Sequence, residues 1–316
     1  MDQRMERVFE GIDDRSRSLW GHHTVRLRHT LAGRELFADA SLAGLIESIE
    51  PRHMDISTMG EDVSSWGHCD RGGCSGAQVL EAVRAGRIWI NLMGIDRVDA
   101  RFGELLGQMY AELHAAMPGF ATFKRQLGLL ISSPNARVFY HFDVPGQGLW
   151  QVRGRKRIWI YPPSEPFLRP GDVENVVRSL DKEDVPYEPW FDEYAQCYEL
   201  GPGDMLHWAL NGPHRVQNAD TLNVSLTTEH WTRSIRRSYA MNYGNGVLRR
   251  EFGWRPRSRA ISGPAFWAKA GLTAAYRFSG MQKKTSYQRV LSYRIDPSAP
   301  LGRVPLAESE RVAVRI

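Results

Sequence analysis

The spacing of apolar residues changes character near residue 125. Before that point helical periods dominate. SGAQVLEAVRAG (75–86) carries apolar residues at helical spacing and a glycine stop, which predicts a helix. RIWINL (87–92) reads as a strand, and VDARFGELLGQMYAELHAAM (98–117) as a long amphipathic helix ended by Pro118-Gly119. Residues 1–60 alternate short apolar clusters with polar breaks and contain no repeat. Beyond 125 the pattern becomes a series of short β runs with turn signals between them. These are LGLLIS (127–132), RVFYHFD (137–143), LWQVRGRKRIWIY (149–161), QCYEL (196–200), DMLHWAL (204–210), HRVQNA (214–219) and LNVSLTTEHW (222–231). A more helical, acidic stretch (171–195) interrupts them, and helical spacing returns after 232 in SIRRSYAMNYGNGVLRREF and GPAFWAKAGLTAAYRF.

Many short strands at regular intervals predict a sandwich or barrel, so the fold class is mainly β with helical flanks. The divisions expected are an N-terminal α/β flank (1–124), a β core (125–232) with a helical insertion near 164–195, and a basic helical C-terminal region (233–316). No low-complexity linker separates them, which points to one catalytic unit rather than independent domains.

Composition narrows the class. The 316 residues are 42% hydrophobic and 24% charged, ordinary for a soluble globular protein. No apolar run has the length of a membrane span, and the N-terminus lacks the apolar stretch of a secretory signal. Three cysteines (Cys69, Cys74, Cys197) are too few for a disulfide framework, so a cytoplasmic location is expected. The net charge of +5 is unevenly distributed: residues 233–316 hold 17 of the 41 basic residues and 4 of the 36 acidic ones. Such a region either packs on the acidic remainder of the chain or attracts an anionic partner. No nucleic-acid-binding motif accompanies it, so a nucleic-acid partner is not expected.

Candidate chemistry lies in the β core. His141 and Asp143 are two residues apart, and on a strand positions i and i+2 share a face. His214 follows the Asn211-Gly212-Pro213 turn. Two histidines and a carboxylate on one side of a metal leave the opposite positions open, the facial arrangement of non-haem iron(II) oxygenases. By spacing alone the trio is weak evidence and reads more readily as a surface histidine and an ordinary turn aspartate. A neighbouring feature adds weight. Read as one strand, 149–161 places Trp150, Val152, Gly154, Lys156, Ile158 and Ile160 on one face and Gln151, Arg153, Arg155 and Arg157 on the other. Lys156 is then the lone charge on an apolar face, where it either meets an anion or snorkels outward at the strand end.

HFDVPGQGLWQVRGRKRIWIYPP (141–163) resembles the signature stretch of JmjC and cupin-like iron(II)/2-oxoglutarate oxygenases, and is similar to the hypoxia-inducible-factor asparaginyl hydroxylase group and its bacterial cupin-like relatives. GPGDMLHWALNGPH (201–214) resembles the family's approach to its distal histidine, with Asp204 at the family's interval before His214. The resemblance spans roughly 125–232 and implies a double-stranded β-helix (jelly-roll/cupin) barrel. It implies His141, Asp143 and His214 as catalytic ligands of Fe(II), with 2-oxoglutarate as co-substrate and dioxygen as oxidant. It implies that Lys156 binds the distal carboxylate of 2-oxoglutarate, with Gln147 and Ser225 polar neighbours of the co-substrate. Val138 stands where the asparaginyl hydroxylase has a threonine on that carboxylate, and Tyr140 or Asn223 is the expected substitute.

Other features carry less. His68, Cys69 and Cys74 lack the fourth ligand and second pair of a structural zinc site. His207 is either a neighbour of the metal site or a packed histidine, and the Gly-x-Gly of NYGNGV lacks the strand–turn–helix context of a phosphate loop. Trp150 and Trp208 are candidates for substrate packing. The leading expectation is a dioxygenase that hydroxylates a protein or peptide side chain or a small metabolite, with an anionic substrate suggested by the basic tail. A metal-dependent cupin enzyme without 2-oxoglutarate and a non-catalytic cupin-like binding protein remain open beside it. A homodimer through the C-terminal helices is what the resemblance implies about assembly.

Overall fold

The computed structural model describes residues 7–58, 66–178, 185–280 and 288–315. In the N-terminal region, α1 (Asp14–Leu19), β1 (Val25–Arg28), α2 (Asp39–Ser48), β2 (Met54–Thr58), β3 (Gly67–Asp70), α3 (Gly76–Ala85), β4 (Ile88–Leu92) and α4 (Ala100–Ala116) follow in order. The two helices predicted from spacing have clear starts. Ser75 and Gln78 form a reciprocal capping box at α3, and the Asp99 side chain accepts from the Arg101 N–H at α4.

The central eight strands are β5 (Phe123–Ser132), β6 (Arg137–His141), β7 (Gly146–Arg153), β8 (Lys156–Ile160), β9 (Gln196–Leu200), β10 (Asp204–His207), β11 (His214–Asn218) and β12 (Asn223–Trp231). They form two facing sheets, ordered β10-β7-β12-β5 and β6-β11-β8-β9. Successive strands change sheet at every step except β8 to β9. That order is a double-stranded β-helix, the jelly-roll architecture of cupins.

The stretch 149–161 is two strands, not one. Gly154 (φ 75°) makes the turn between them, and a side chain there would run into the Leu222 carbonyl. β7 lies in the larger sheet and β8 in the smaller. The sheet changes across the turn, and just before it β7 holds one extra residue between Gln151 and Arg153, which stand opposite Ser225 and Val224. Lys156, Ile158 and Ile160 therefore face the barrel interior, whereas Trp150 and Val152 face the outer core under the N-terminal helices. Trp150 packs on Phe9 and His29 and is fully buried there, which removes it as a substrate contact.

The insertion after β8 contributes α5 (Pro170–Val177) and the 3₁₀ turn Pro189–Tyr194; residues 179–184 of it lie outside the described residues. It packs with Tyr140, Phe142 and Tyr161 on the outside of the smaller sheet and with α6 (Arg233–Phe252) and α7 (Gly263–Phe278). The two glycines of NYGNGV are buried in the middle of α6: a Cβ at Gly244 would come within 2.9 Å of the Lys269 carbonyl on α7, and one at Gly246 within 3.2 Å of Glu174 on α5. They permit close helix packing. The C-terminal region is not helical throughout. Residues 288–315 form β13 (Gln288–Ile295), β14 (Arg303–Pro305) and β15 (Val312–Arg315), and β13 runs parallel to β3. These strands extend the larger sheet, with β1 at its other edge, to eleven.

Candidate metal centre

Register between β6 and β11 sets the site. His141 stands directly opposite His214, and Val138 opposite Val216, so β6 holds one extra residue in that interval. The bulge puts His141 and Val138, three positions apart, on the inner face. Tyr140 faces the other way, into the outer core, where its hydroxyl donates to the Phe167 carbonyl at 2.8 Å. Tyr140 is therefore not a co-substrate ligand, contrary to the sequence expectation.

The β6 strand ends at His141, and Asp143 lies in the loop beyond it, so the shared-face argument for the pair does not apply. The loop nonetheless brings the carboxylate in, because the Asn211 side chain donates to the Asp143 carbonyl at 2.8 Å. One ligand atom from each of His141, Asp143 and His214 lies within 4.8 Å of the others. Among the described residues no other group of His, Cys, Asp or Glu does this. Nδ1 of His141 donates to the Phe139 carbonyl (2.8 Å) and Nδ1 of His214 to the Gly212 carbonyl (3.1 Å). Both histidines so turn Nε2 inward, the nitrogen left for a metal. Nε2 of His214 is 3.5 Å from Asp143.

The electrostatics suit a cation. Burial, then the neighbouring His141, holds His214 well below the usual histidine range, so it is neutral. Burial raises the Asp143 carboxyl, partly opposed by His141, and a bound metal would reverse that preference. Trp208, also buried, lies 4.7 Å from the His214 ring.

The barrel interior is layered below this triad. Leu149, Ile158, Ile160, Leu206, Leu130 and Val216 make an apolar middle. Deeper lies a polar floor. Ser225 donates to the Gln151 side chain (2.7 Å), Gln151 donates to Asn223 (2.7 Å), and Asn218 donates to Ser132 (2.8 Å). Lys156 is paired in register with Asn218 at this floor and is only 5% exposed. No hydrogen bond or ion pair reaches it among the described residues, and burial alone pushes its pKa down to about 7. Four residues of β8, or roughly 13 Å of strand, separate Lys156 from Ile160, which faces His214. A lone buried ammonium is costly unless an anion joins it. The interval suits a short dicarboxylate running from metal to lysine.

Three elements of the sequence resemblance are thus present together: the strand order, the triad and the buried lysine. No protein-family profile matches the chain. A stretch of 79 residues is 37% identical to tRNA wybutosine-synthesizing protein 5 of Gallus gallus, covering 24% of each protein. The chain thus spans about a quarter of that relative. Among solved structures it overlaps YcfD, a ribosomal oxygenase from Escherichia coli in complex with cobalt and 2-oxoglutarate. That overlap has a TM-score of 0.47 and 16% identity, over 83% of this chain and 64% of that one. A second structure of E. coli YcfD gives the same score and identity over 66% of its chain. The fold assignment rests on the strand order itself.

Of the remaining expected residues, Gln147, Ser225 and Asn223 all face the interior, Gln147 near the triad and the other two at the floor. Asn223 is a floor residue and Tyr140 is not. Ser132, Gln151 and Asn218 complete the floor and were not anticipated. Glu229 was also missed. It follows Asn223, Ser225 and Thr227 along the inner face of β12, stands opposite Gln147, and has its carboxyl raised by burial and then by Asp143. Alternation along LNVSLTTEHW contains that signal. His207 faces outward, stacked on Trp20 at 4.0 Å, with Nδ1 donating to the Gln147 carbonyl. His68 bonds Asp55 at 2.8 Å. No helix of the described residues is long and apolar enough to cross a membrane.

Proposed function

We propose that the chain is an iron(II)- and 2-oxoglutarate-dependent oxygenase that hydroxylates a protein or peptide side chain or a small metabolite. The observation that carries this reading is Lys156: a buried lysine with no counter-ion among the described residues, at the floor of a barrel whose mouth gathers two histidines and a carboxylate. His141, Asp143 and His214 would hold the iron, whose chemistry, when bound, is activation of dioxygen at the expense of 2-oxoglutarate. Lys156 would bind the distal carboxylate, and the Ser225–Gln151–Asn223 chain would supply polar contacts that Val138 lacks. Asn211 positions the Asp143 loop, and the apolar middle layer excludes water from the reacting atoms.

The test is turnover. With iron(II) the full chain should convert 2-oxoglutarate to succinate, and His141→Ala or Asp143→Ala should abolish this. Iron binding without 2-oxoglutarate consumption would overturn the reading in favour of a metal-dependent cupin without that co-substrate. Lys156→Ala separates the same alternatives, since it weakens 2-oxoglutarate binding in the first case and is silent in the second.

The assembly proposed is a homodimer through α7. Trp267 (62% exposed) and Phe278 (91% exposed) lie on one face of that helix with Gly271, Ala274 and Ala275 between them. Small residues between two exposed aromatics suit a second copy of the same helix. Trp267→Glu should convert a dimer to a monomer in light scattering at micromolar concentration, and a monomeric wild type would remove the proposal.

A further inference from the structure

Beside the metal centre, a cleft of about 330 Å³ opens between the insertion, the loop before β11, α6 and the segment joining α6 to α7. Asn211 lines it, and the same side chain holds the Asp143 carbonyl, so the cleft adjoins the loop that carries a metal ligand. Its walls are apolar at Leu168, Leu210 and Met241 and polar at Ser234, Ser238, Asn242 and Arg259.

The charges behind the polar wall do not balance. Glu174 is 1% exposed and is bound by Arg249 at 2.7 Å and by Arg259 at 3.6 Å. Lys269, also buried, donates to the Ser258 carbonyl and feels both Arg259 and Glu174. Three cations thus surround one buried carboxylate. Glu165 is the other carboxylate acting on Arg259, and its influence is weaker than those of Glu174 and Arg249. Arg249 is already engaged with Glu174 through a bond to Nε. Arg259 is held differently: one Nη donates to Asn242 Oδ1 at 2.6 Å, and its longer contact with Glu174 leaves the guanidinium short of a full carboxylate partner. Arginine's planar fork matches a carboxylate or phosphate and presents it to neighbouring donors.

We propose that this cleft is an oxyanion subsite, in which Arg259, with Asn242 and the hydroxyls of Ser234 and Ser238, binds a carboxylate or phosphate group of the substrate. Its role in substrate selection rests on the oxygenase reading; oxyanion binding itself does not. The substrate is then an anionic molecule or an acidic segment whose remainder passes Asn211 to reach the metal. The basic character of the C-terminal region acquires a local purpose, because Arg249, Arg259 and Lys269 all belong to it.

Sodium phosphate and sodium acetate, titrated separately into the full-length Lys156→Ala variant, test this without competition from the barrel floor. Saturable binding of at least one is expected, weakened at least fivefold when Arg259→Gln is added. Asn242→Asp, which sets a carboxylate against Arg259 in the same space, should weaken it as much and guards against a packing defect in the first variant. Tighter binding of phosphate identifies a phosphorylated substrate, and equal or tighter binding of acetate a carboxylate. Absence of saturable binding, or equal binding with and without the Arg259 and Asn242 changes, overturns the subsite. Oxyanion binding in a chain that never consumes 2-oxoglutarate would remove the oxygenase reading and leave the subsite standing.

Discussion

Asn211 and Asp143 are joined by a hydrogen bond from side-chain amide to main-chain carbonyl, 2.8 Å long, across the mouth of the barrel. Asp143 lies beyond the end of β6, so strand geometry does not orient it. The bond from Asn211 replaces that constraint. Groups that orient metal ligands without touching the metal commonly affect affinity 10- to 100-fold. Asn211→Ala should therefore weaken iron(II) or cobalt(II) binding by about tenfold, at the lower end of that range. Metal titration followed by cobalt absorption would measure it, and unchanged affinity would show that the loop is held by other means.

Lys156 makes 2-oxoglutarate binding depend on pH in a defined direction. Its folded-state pKa is pushed down to about 7 by burial, below the 10.5 of an exposed lysine. Between these values the unfolded chain binds more protons than the folded one, so the stability of the ligand-free protein rises with pH from about 7 toward 10. A dianion restores the charged form, so binding above pH 7 takes up a proton. Affinity should then fall with rising pH, approaching tenfold per unit well above the free-protein value. Calorimetry in two buffers of different ionisation enthalpy would detect the uptake. In Lys156→Met both the uptake and the pH dependence should vanish.

Much of this was legible from sequence because alternation survives along short strands. Lys156 was legible as an interior charge because alternation within 156–160 places it with Ile158 and Ile160. What parity omits is the sheet to which each half belongs. The turn at Gly154 transfers the chain to the opposite sheet, so Trp150 points out of the barrel while Lys156 points in. Tyr140 failed for a related reason: the extra residue in β6 shifts parity between Val138 and His141, and nothing local in RVFYH announces it. Asp143 was placed correctly for a reason that does not hold, since a loop and Asn211 do what strand pairing was expected to do. The strands of 288–315 are short, basic and half-exposed, and acquire their identity from pairing with β3, a partner more than 200 residues away.

Two buried histidines predict sensitivity to acid away from the metal. His207 has its pKa lowered to about 4 and His230 to about 3, both chiefly by burial. Among the described residues Nε2 of His207 has no hydrogen-bond partner, and the ring is stacked on Trp20. These folded-state values lie below the ordinary 6.5, so the unfolded chain binds the extra protons. Stability is therefore complete above pH 6.5 and is lost as pH falls toward 4. Each such group adds about 1.4 kcal/mol per pH unit to the slope in that window. Urea unfolding of His207→Phe between pH 6.5 and 4.5 should show a slope smaller by about that amount. An unaltered slope would mean that His207 is already protonated in the native protein.

Gly244 tests how far helix packing shapes the substrate side. Alanine is favoured over glycine in a helix by about 1 kcal/mol, so propensity alone predicts stabilisation of α6. Packing predicts the reverse, because the added methyl would meet the Lys269 carbonyl and Cβ at 2.9 Å and Thr273 Oγ1 at 3.2 Å. Backbone of α7 yields little, and overpacking of this kind costs about 1–3 kcal/mol. The balance is a net loss of up to about 2 kcal/mol for Gly244→Ala. The same displacement moves Lys269 and, through Ser258, the segment carrying Arg259. Gly244→Ala should therefore lower Tm and, in the Lys156→Ala background, weaken phosphate or acetate binding, while Gly244→Ala in the otherwise wild-type chain retains substrate-free 2-oxoglutarate turnover. A raised Tm would mean that α7 moves away from α6 without penalty and that the close approach of the two helices contributes nothing to stability.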